Sequence, residues 1–356
     1  MFGWGKKKPE ASFKDRITQF WDWYPTVSER FFQSIEAGRC EDLTQEVSQA
    51  TEFMLPTMAW VFGPGENGGH SFTVSGEGYL PKQLLAEYWH SRAVELPHWT
   101  FHASRQPSEE ENLKNMAIGI GEHDSIDTES FLISTNVDDE AQRIHITAWH
   151  PLLERLPEEH HYQILFILLD EALGEFGTQT WLGEIQIEPI TPDEKTKTIA
   201  TLPAFIKQVE NYHQWEKTPP LRSYSLYEVP EQTNNRRGDT LIGTTCIPDI
   251  VIDFLENGGR LSEDPLPDTG AEFAYVAVDG SVFPDGQQSD VRANIEDALD
   301  EALISHHSGR ALGGAFGFQE SYIDLLLLDG DNSRAIVQAA LGDLQLTNRS
   351  RLESFL

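Results

Sequence analysis

The last third of the chain limits the fold more than any other stretch. Between Phe273 and Leu356 the apolar residues switch repeatedly between a period of two and a period of 3.6. Phe273 to Val278 reads as a strand. Asp290 can cap a helix whose one face carries Val291, Ile295, Ala298, Leu299, Ala302 and Leu303. Arg310 to Phe318 and Tyr322 to Leu328 are strands around a short turn. Asn332 or Ser333 can cap a helix bearing Ile336, Val337, Ala340 and Leu344, and Arg351 to Leu356 is a last strand. The order βαββαβ predicts a ferredoxin-like domain over 241–356. A helix from Pro248 to Asn257 precedes it, with Ile250, Val251, Phe254 and Leu255 inward and Gly258 and Gly259 at its end. Many unrelated functions use this arrangement, so by itself it points to none of them.

At 356 residues a second domain is expected upstream. Every Trp and every Lys lies at or before Lys217, and residues 218–240 have the Pro, Asn and Gly content of a linker, in which Ser223 to Val229 could pair as an edge strand. The N-terminal domain, 15–217, begins with a helical lead-in. Asp15 to Tyr24 and Val27 to Ala37 read as two short helices separated at Pro25, and Leu43 to Met54 as a third. Met58 to Phe62 and Ser71 to Ser75 then flank the hairpin loop GPGENGGH, followed by a helix from Pro81 to Val94 and a strand from Trp99 to Ser104. Met116 to Ile120 reads as a further strand. The order recurs in Phe131 to Val137, Arg143 to Trp149, a helix from about Glu158, and Trp181 to Ile187, with a closing helix at Pro203 to Tyr212. The expected class is α+β: an N-terminal, mostly antiparallel sheet with helices on one side, then the ferredoxin-like domain.

Charge narrows the function classes. The chain carries 58 acidic and 26 basic residues, a formal net of −32. That field repels nucleic-acid phosphates and anionic lipid, and it suits a basic protein partner. Two cysteines, Cys40 and Cys246, make no disulfide scaffold. The first 14 residues read as a flexible tail, in which Phe2 and Trp4 precede Lys6, Lys7 and Lys8. The start lacks the apolar core of a signal peptide, and no run approaches the roughly 18 apolar residues of a membrane span, so the expected location is the cytoplasm.

Phosphate-loop, dinucleotide, nucleophile-elbow, HExxH and CxxC motifs are absent. The adjacent pairs His160–His161 and His306–His307 suit helix ends better than one ion, and no metal site or cofactor is expected. The densest chemistry lies between Arg143 and Glu188. His145 and His150 come from a strand and its end, Glu171 and Glu175 are spaced i, i+4 on a helix, and Asp170 is beside them. Converging, His145, His150, Glu171 and Glu175 would be catalytic candidates for a metal-dependent hydrolase. Otherwise the glutamates are a solvated helix face, and His145, Thr147 and Trp149 lie on the sheet face opposite Ile144 and Ile146. Thr147, Trp149 and Trp181 are then candidates for binding. The glycine-rich GGAFG (Gly313 to Gly317) reads as a bulge within a strand, and Asp324 as a buried or edge carboxylate in an apolar run.

At Trp60-Val-Phe-Gly-Pro-Gly, Phe72-Thr-Val-Ser-Gly, Trp149-His-Pro, Gln179-Thr-Trp-Leu-Gly-Glu and Tyr322-Ile-Asp-Leu the chain resembles bacterial proteins of unknown function. In layout and acidity its last third is similar to small ferredoxin-fold regulators that inhibit a bacterial ribonuclease. The resemblance implies no site residue. The expected function is that of a non-enzymatic, acidic binding or regulatory protein acting on a basic protein. The alternative is the hydrolase centred on 143–188.

Overall fold

The computed structural model describes residues 11–66, 68–121, 124–216, 218–229 and 235–356. Most of the expected tail and part of the expected linker lie outside these residues. Helix α1 (Phe13–Glu36) is capped by Ser12, whose Oγ accepts from the Asp15 N–H at 3.2 Å. It runs unbroken through Pro25, where two helices are expected. Proline there removes the donor to the Trp21 carbonyl and costs roughly 3 kcal/mol. One continuous buried face outweighs that cost. Phe13, Ile17, Phe20, Tyr24, Val27 and Phe31 are all buried, at about 1.5–3 kcal/mol for each large side chain. Helix α2 (Thr44–Met54) follows after one 3-10 turn.

Strands β1 (Ala59–Pro64) and β2 (His70–Ser75) form an antiparallel hairpin, with Phe62 opposite Phe72. Helix α3 (Leu80–Ser91) crosses over, and β3 (Trp99–His102) returns parallel to β2. Trp21 of α1 stacks on Trp89 of α3 at 5.1 Å and meets the Phe101 ring edge-on at 4.8 Å, so aromatic rings fill the space between helices and sheet.

Helix α4 (Glu110–Lys114) and a small hairpin, β4 (Ala117–Gly119) with β5 (Ser125–Asp127), lead to the second unit. Strands β6 (Leu132–Asp138) and β7 (Arg143–Trp149) pair antiparallel, with Ser134 opposite Thr147 and Asn136 opposite His145. Helices α5 (Glu158–Leu173) and α6 (Glu175–Trp181) cross over, and β8 (Leu182–Ile187) returns parallel to β7. Strand β9 (Lys197–Thr198) completes the order β8-β7-β6-β9, and α7 (Leu202–His213) follows. Ile133, Ile144, Ile146 and Ala148 pack on Leu165, Leu168 and Leu169 of α5 and on Leu202 and Ile206 of α7.

Both units are thus a hairpin, a helical crossover and a strand parallel to the hairpin's second strand. They do not join into the single, mostly antiparallel sheet expected over 15–217. A helical crossover returns the chain in its original direction, so β3 and β8 each extend their own hairpin in parallel. Strand β4, placed between the units in sequence, pairs only with β5 among the described residues.

The rest of the chain forms a six-stranded sheet. Strand β10 (Ser225–Glu228), inside the expected linker, pairs with β11 (Thr240–Thr245). After α8 (Pro248–Glu256) come β12 (Glu272–Asp279), α9 (Gln288–Ser305), β13 (Gly309–Gly317), β14 (Glu320–Leu327), α10 (Gly330–Asp343) and β15 (Ser350–Ser354). The sheet order is β10-β11-β13-β14-β12-β15, with every neighbouring pair antiparallel. GGAFG lies in β13, where the register shifts between Ala311 and Gly313.

One face of this sheet is covered by Ile295, Leu299 and Leu303 of α9 and by Val337 and Leu341 of α10. On the other face Tyr275, Leu312, Tyr322 and Leu326 join α8 and the aromatic face of α1 in one continuous cluster. The start of α1 is fixed there as well. The Lys14 N–H donates to the Leu328 carbonyl at 2.9 Å, and its Nζ pairs with Asp329 Oδ2 at 2.9 Å. Apolar packing therefore joins Phe13–Phe101 to Leu221–Phe355 and leaves Leu113–Trp215 with a separate core. Within the shared core the fully buried Arg237 donates to Asp324 Oδ1 at 2.5 Å. Its guanidinium is 4.6 Å from the Tyr322 ring centroid and 5.1 Å from that of Tyr275, with Phe254 and Phe355 on its other sides. No helix among the described residues is long and apolar enough to cross a membrane.

Candidate functional site

His145 rises from the open face of the β8-β7-β6-β9 sheet. Its Nδ1 accepts the Glu184 N–H at 2.9 Å, and its Nε2 lies 3.6 Å from Asp138 Oδ2. This approach requires glycine at the preceding residue of β8, because a Cβ on Gly183 would fall 2.8 Å from Nδ1. The hydrogen-bond network assigns the tautomer: with Nδ1 accepting, the neutral ring carries its proton on Nε2. Neither nitrogen then offers a lone pair to a substrate proton or a metal ion.

His150 is bound in the same way. Its Nδ1 accepts the Leu152 N–H at 3.2 Å, which caps a 3-10 turn, and its Nε2 is 3.0 Å from Ser130 Oγ. Asp127 accepts the Ser130 N–H at 2.7 Å. Asp127, Ser130 and His150 therefore assemble the residue types of a hydrolytic triad with the wrong polarity. Nε2 donates to the hydroxyl, whereas activating a serine requires Nε2 to accept from it. Burial, opposed by the Asp127 charge, holds the imidazole below its ordinary range and so favours this neutral form.

The two glutamates do not share a helical face. Gly174, with φ +73°, ends α5, and Glu175 opens α6 pointing the other way. Its side chain is buried against the first unit. There it accepts from Ser75 Oγ at 2.7 Å, Gln83 Nε2 at 2.7 Å, the Gly78 N–H at 3.0 Å and the Arg105 N–H at 3.3 Å. It is a pin between the two units. Glu171 accepts from Ser108 Oγ at 2.6 Å. His145, His150, Glu171 and Glu175 thus stand in separate surroundings, and among the described residues no three His, Cys, Asp or Glu side chains are placed to hold a metal ion.

Of the binding candidates, Thr147 lines a polar groove of about 330 Å³ on the open sheet face with Ser134, Asn136, His145, Glu184 and Gln186. Trp149 is half-buried opposite Leu132. Trp181 is in the core, where it stacks on Trp215 at 6.1 Å. The Trp215 Nε1 donates to Asp139 at 2.8 Å.

A different surface on α5 combines apolar and charged groups. Tyr162, Phe166 and Ile167 are 47%, 41% and 48% exposed, forming an apolar stripe on the side of the helix away from the sheet. Phe166 and Ile167 also line a cleft of about 420 Å³ with Gln163, Arg105 and three carboxylates, Glu77, Asp170 and Glu171. Burial pushes the Asp170 carboxyl up to about 6, with the Thr178 hydroxyl opposing and the Glu175 charge adding. The sequence conceals this stripe because Tyr162 to Leu169 is apolar on more than one side of the helix. Compared with protein families, with characterised proteins and with solved structures, the chain finds no match.

Proposed function

We propose that this chain is a non-enzymatic binding protein that holds a basic, amphipathic segment of another protein on the outer side of α5. The observation that carries this reading is the exposed Tyr162–Phe166–Ile167 stripe beside a cleft with three carboxylates and one arginine. Large exposed apolar residues next to charge mostly of one sign are the anatomy of a protein-recognition patch. The net charge of −32 adds long-range attraction for a cationic partner and repulsion for nucleic acid. A binding role over a catalytic one is further supported by His145 and His150, whose acceptor nitrogens are both occupied by backbone donors.

A regulatory setting fits the βαββαβ segment. Its four strands lie in the order β13-β14-β12-β15, which supports reading it as ferredoxin-like. We place the protein in the cytoplasm, where free Cys40 and Cys246 suit a reducing milieu.

The test uses a Leu/Lys amphipathic helical peptide roughly five turns long, titrated calorimetrically into the full chain. Saturable binding that weakens with salt is expected, with affinity falling at least about tenfold in the double variant Phe166→Ser, Ile167→Ser. Affinity unchanged by that variant, or equal binding of a Leu/Glu counterpart, sinks the reading.

A further inference from the structure

A cleft of about 580 Å³ opens where α3 meets the end of α9 and the start of β13, and it shares no lining residue with the α5 cleft. The first unit and the six-stranded sheet meet here, a frequent place for small-molecule sites, and the volume is in the range of such sites. Its floor is Leu84, Leu326 and Leu328, all buried, and Tyr88 and Tyr224 stand at its sides. Ile304, 53% exposed, forms part of the rim.

The charged lining is asymmetric in what is already engaged. Glu87 Oε2 holds Arg310 Nη1 at 2.9 Å, and Asp300 Oδ1 accepts the Ala311 N–H at 2.7 Å. Arg222 has no ion-pair partner among the described residues. Burial, then the positive charges of Arg92, Lys14 and His306, hold the His307 imidazole below its ordinary range, while Asp329 holds Lys14 at 2.9 Å.

We infer that this cleft binds a small amphipathic monoanion, a carboxylate bearing an apolar chain or ring. The head group lies at the Arg222 guanidinium, which can receive a carboxylate through two parallel N–H donors. The apolar body covers Leu84, Leu326 and Leu328. Polyanions are disfavoured by Glu87 and Asp300 in the same wall and by the net charge of the molecule.

The experiment is calorimetric titration of the full chain with octanoate, 1-octanol and octylammonium, which share the chain length and differ in head-group charge. Octanoate is expected to bind with a stoichiometry of one and at least about tenfold more tightly than octanol, with octylammonium the weakest. Arg222→Glu is expected to remove the advantage of octanoate while leaving thermal unfolding of the free protein unchanged, since Arg222 is exposed. Ser91→Trp, which fills the cleft from the end of α3, should weaken octanoate and octanol alike. Equal or tighter binding of octylammonium overturns the inference. So do octanoate affinity that Arg222→Glu leaves unchanged and an absence of octanoate binding at millimolar concentration.

Discussion

Glu175 and Asp170 are five residues apart, and the protein treats their charges in opposite ways. Glu175 is buried with four donors on its two oxygens, two of them backbone N–H groups that have nowhere else to turn. Glu175→Ala leaves those donors buried without an acceptor, and a loss of about 3–5 kcal/mol in urea-denaturation stability is expected. Asp170 has few such donors, and its folded value of about 6 stands above the ordinary 3.8. A carboxyl raised on folding is stabilising in its protonated form. Its contribution is therefore fully present below pH 3.8 and is lost as the pH rises through about 6. Asp170→Asn is expected to stabilise the protein at neutral pH by of order 1–2 kcal/mol, allowing for partial solvent screening, and to do nothing at pH 3.5. The same variant should flatten the part of basic-peptide binding that weakens between pH 7.5 and 5.5, because protonation of Asp170 removes one of the cleft's negative charges. Neither role can be read from the sequence, where the pair appears as two acids near the end of one helix. What separates them is Gly174, whose positive φ turns the chain between them.

At the scale of elements, periodicity is a good guide wherever one face of an element is buried and the other is wet. The helix at 248–256 and the strands and helices from 272 to 354 fall within a few residues of their patterns for that reason. Strand β11 leaves no such trace, because Thr240 to Thr245 is short, contains a glycine and follows a turn-rich stretch. Helix α1 shows local preference yielding to packing. Pro25 is exposed and makes no buried contact that an alanine would lose, yet it interrupts the hydrogen-bond ladder between two halves of one aromatic face. Pro25→Ala should therefore stabilise the protein by about 1–3 kcal/mol, read from the urea midpoint at unchanged slope. A drop in stability would mean that the ring fixes a bend on which the packing of Trp21 and Tyr24 depends. The exposed side of α5 escapes periodicity for the converse reason. A helix that is apolar nearly all round does not say which side the protein covers.

For the whole molecule, the break in Trp and Lys usage near residue 217 suggests a division that the apolar packing crosses. Residues on both sides of it share one core, while 113–215 have their own. A fragment spanning 105–217 is expected to unfold cooperatively on heating, with a near-ultraviolet circular dichroism signal from Trp181 and Trp215. A fragment spanning 11–104 should show neither. Cooperative unfolding of 11–104 alone would mean that its aromatic cluster is self-sufficient. The same packing has a consequence for biosynthesis. Phe13, Phe20 and Phe31 are translated long before Phe355, yet all four belong to one cluster. During translation the middle unit can fold as it emerges, while that early helix waits with its rings uncovered until the strands of the six-stranded sheet have emerged. A shielding chaperone, or a change in the pace of translation between Trp215 and Phe355, would then influence the yield of this protein more than substitutions on its surface.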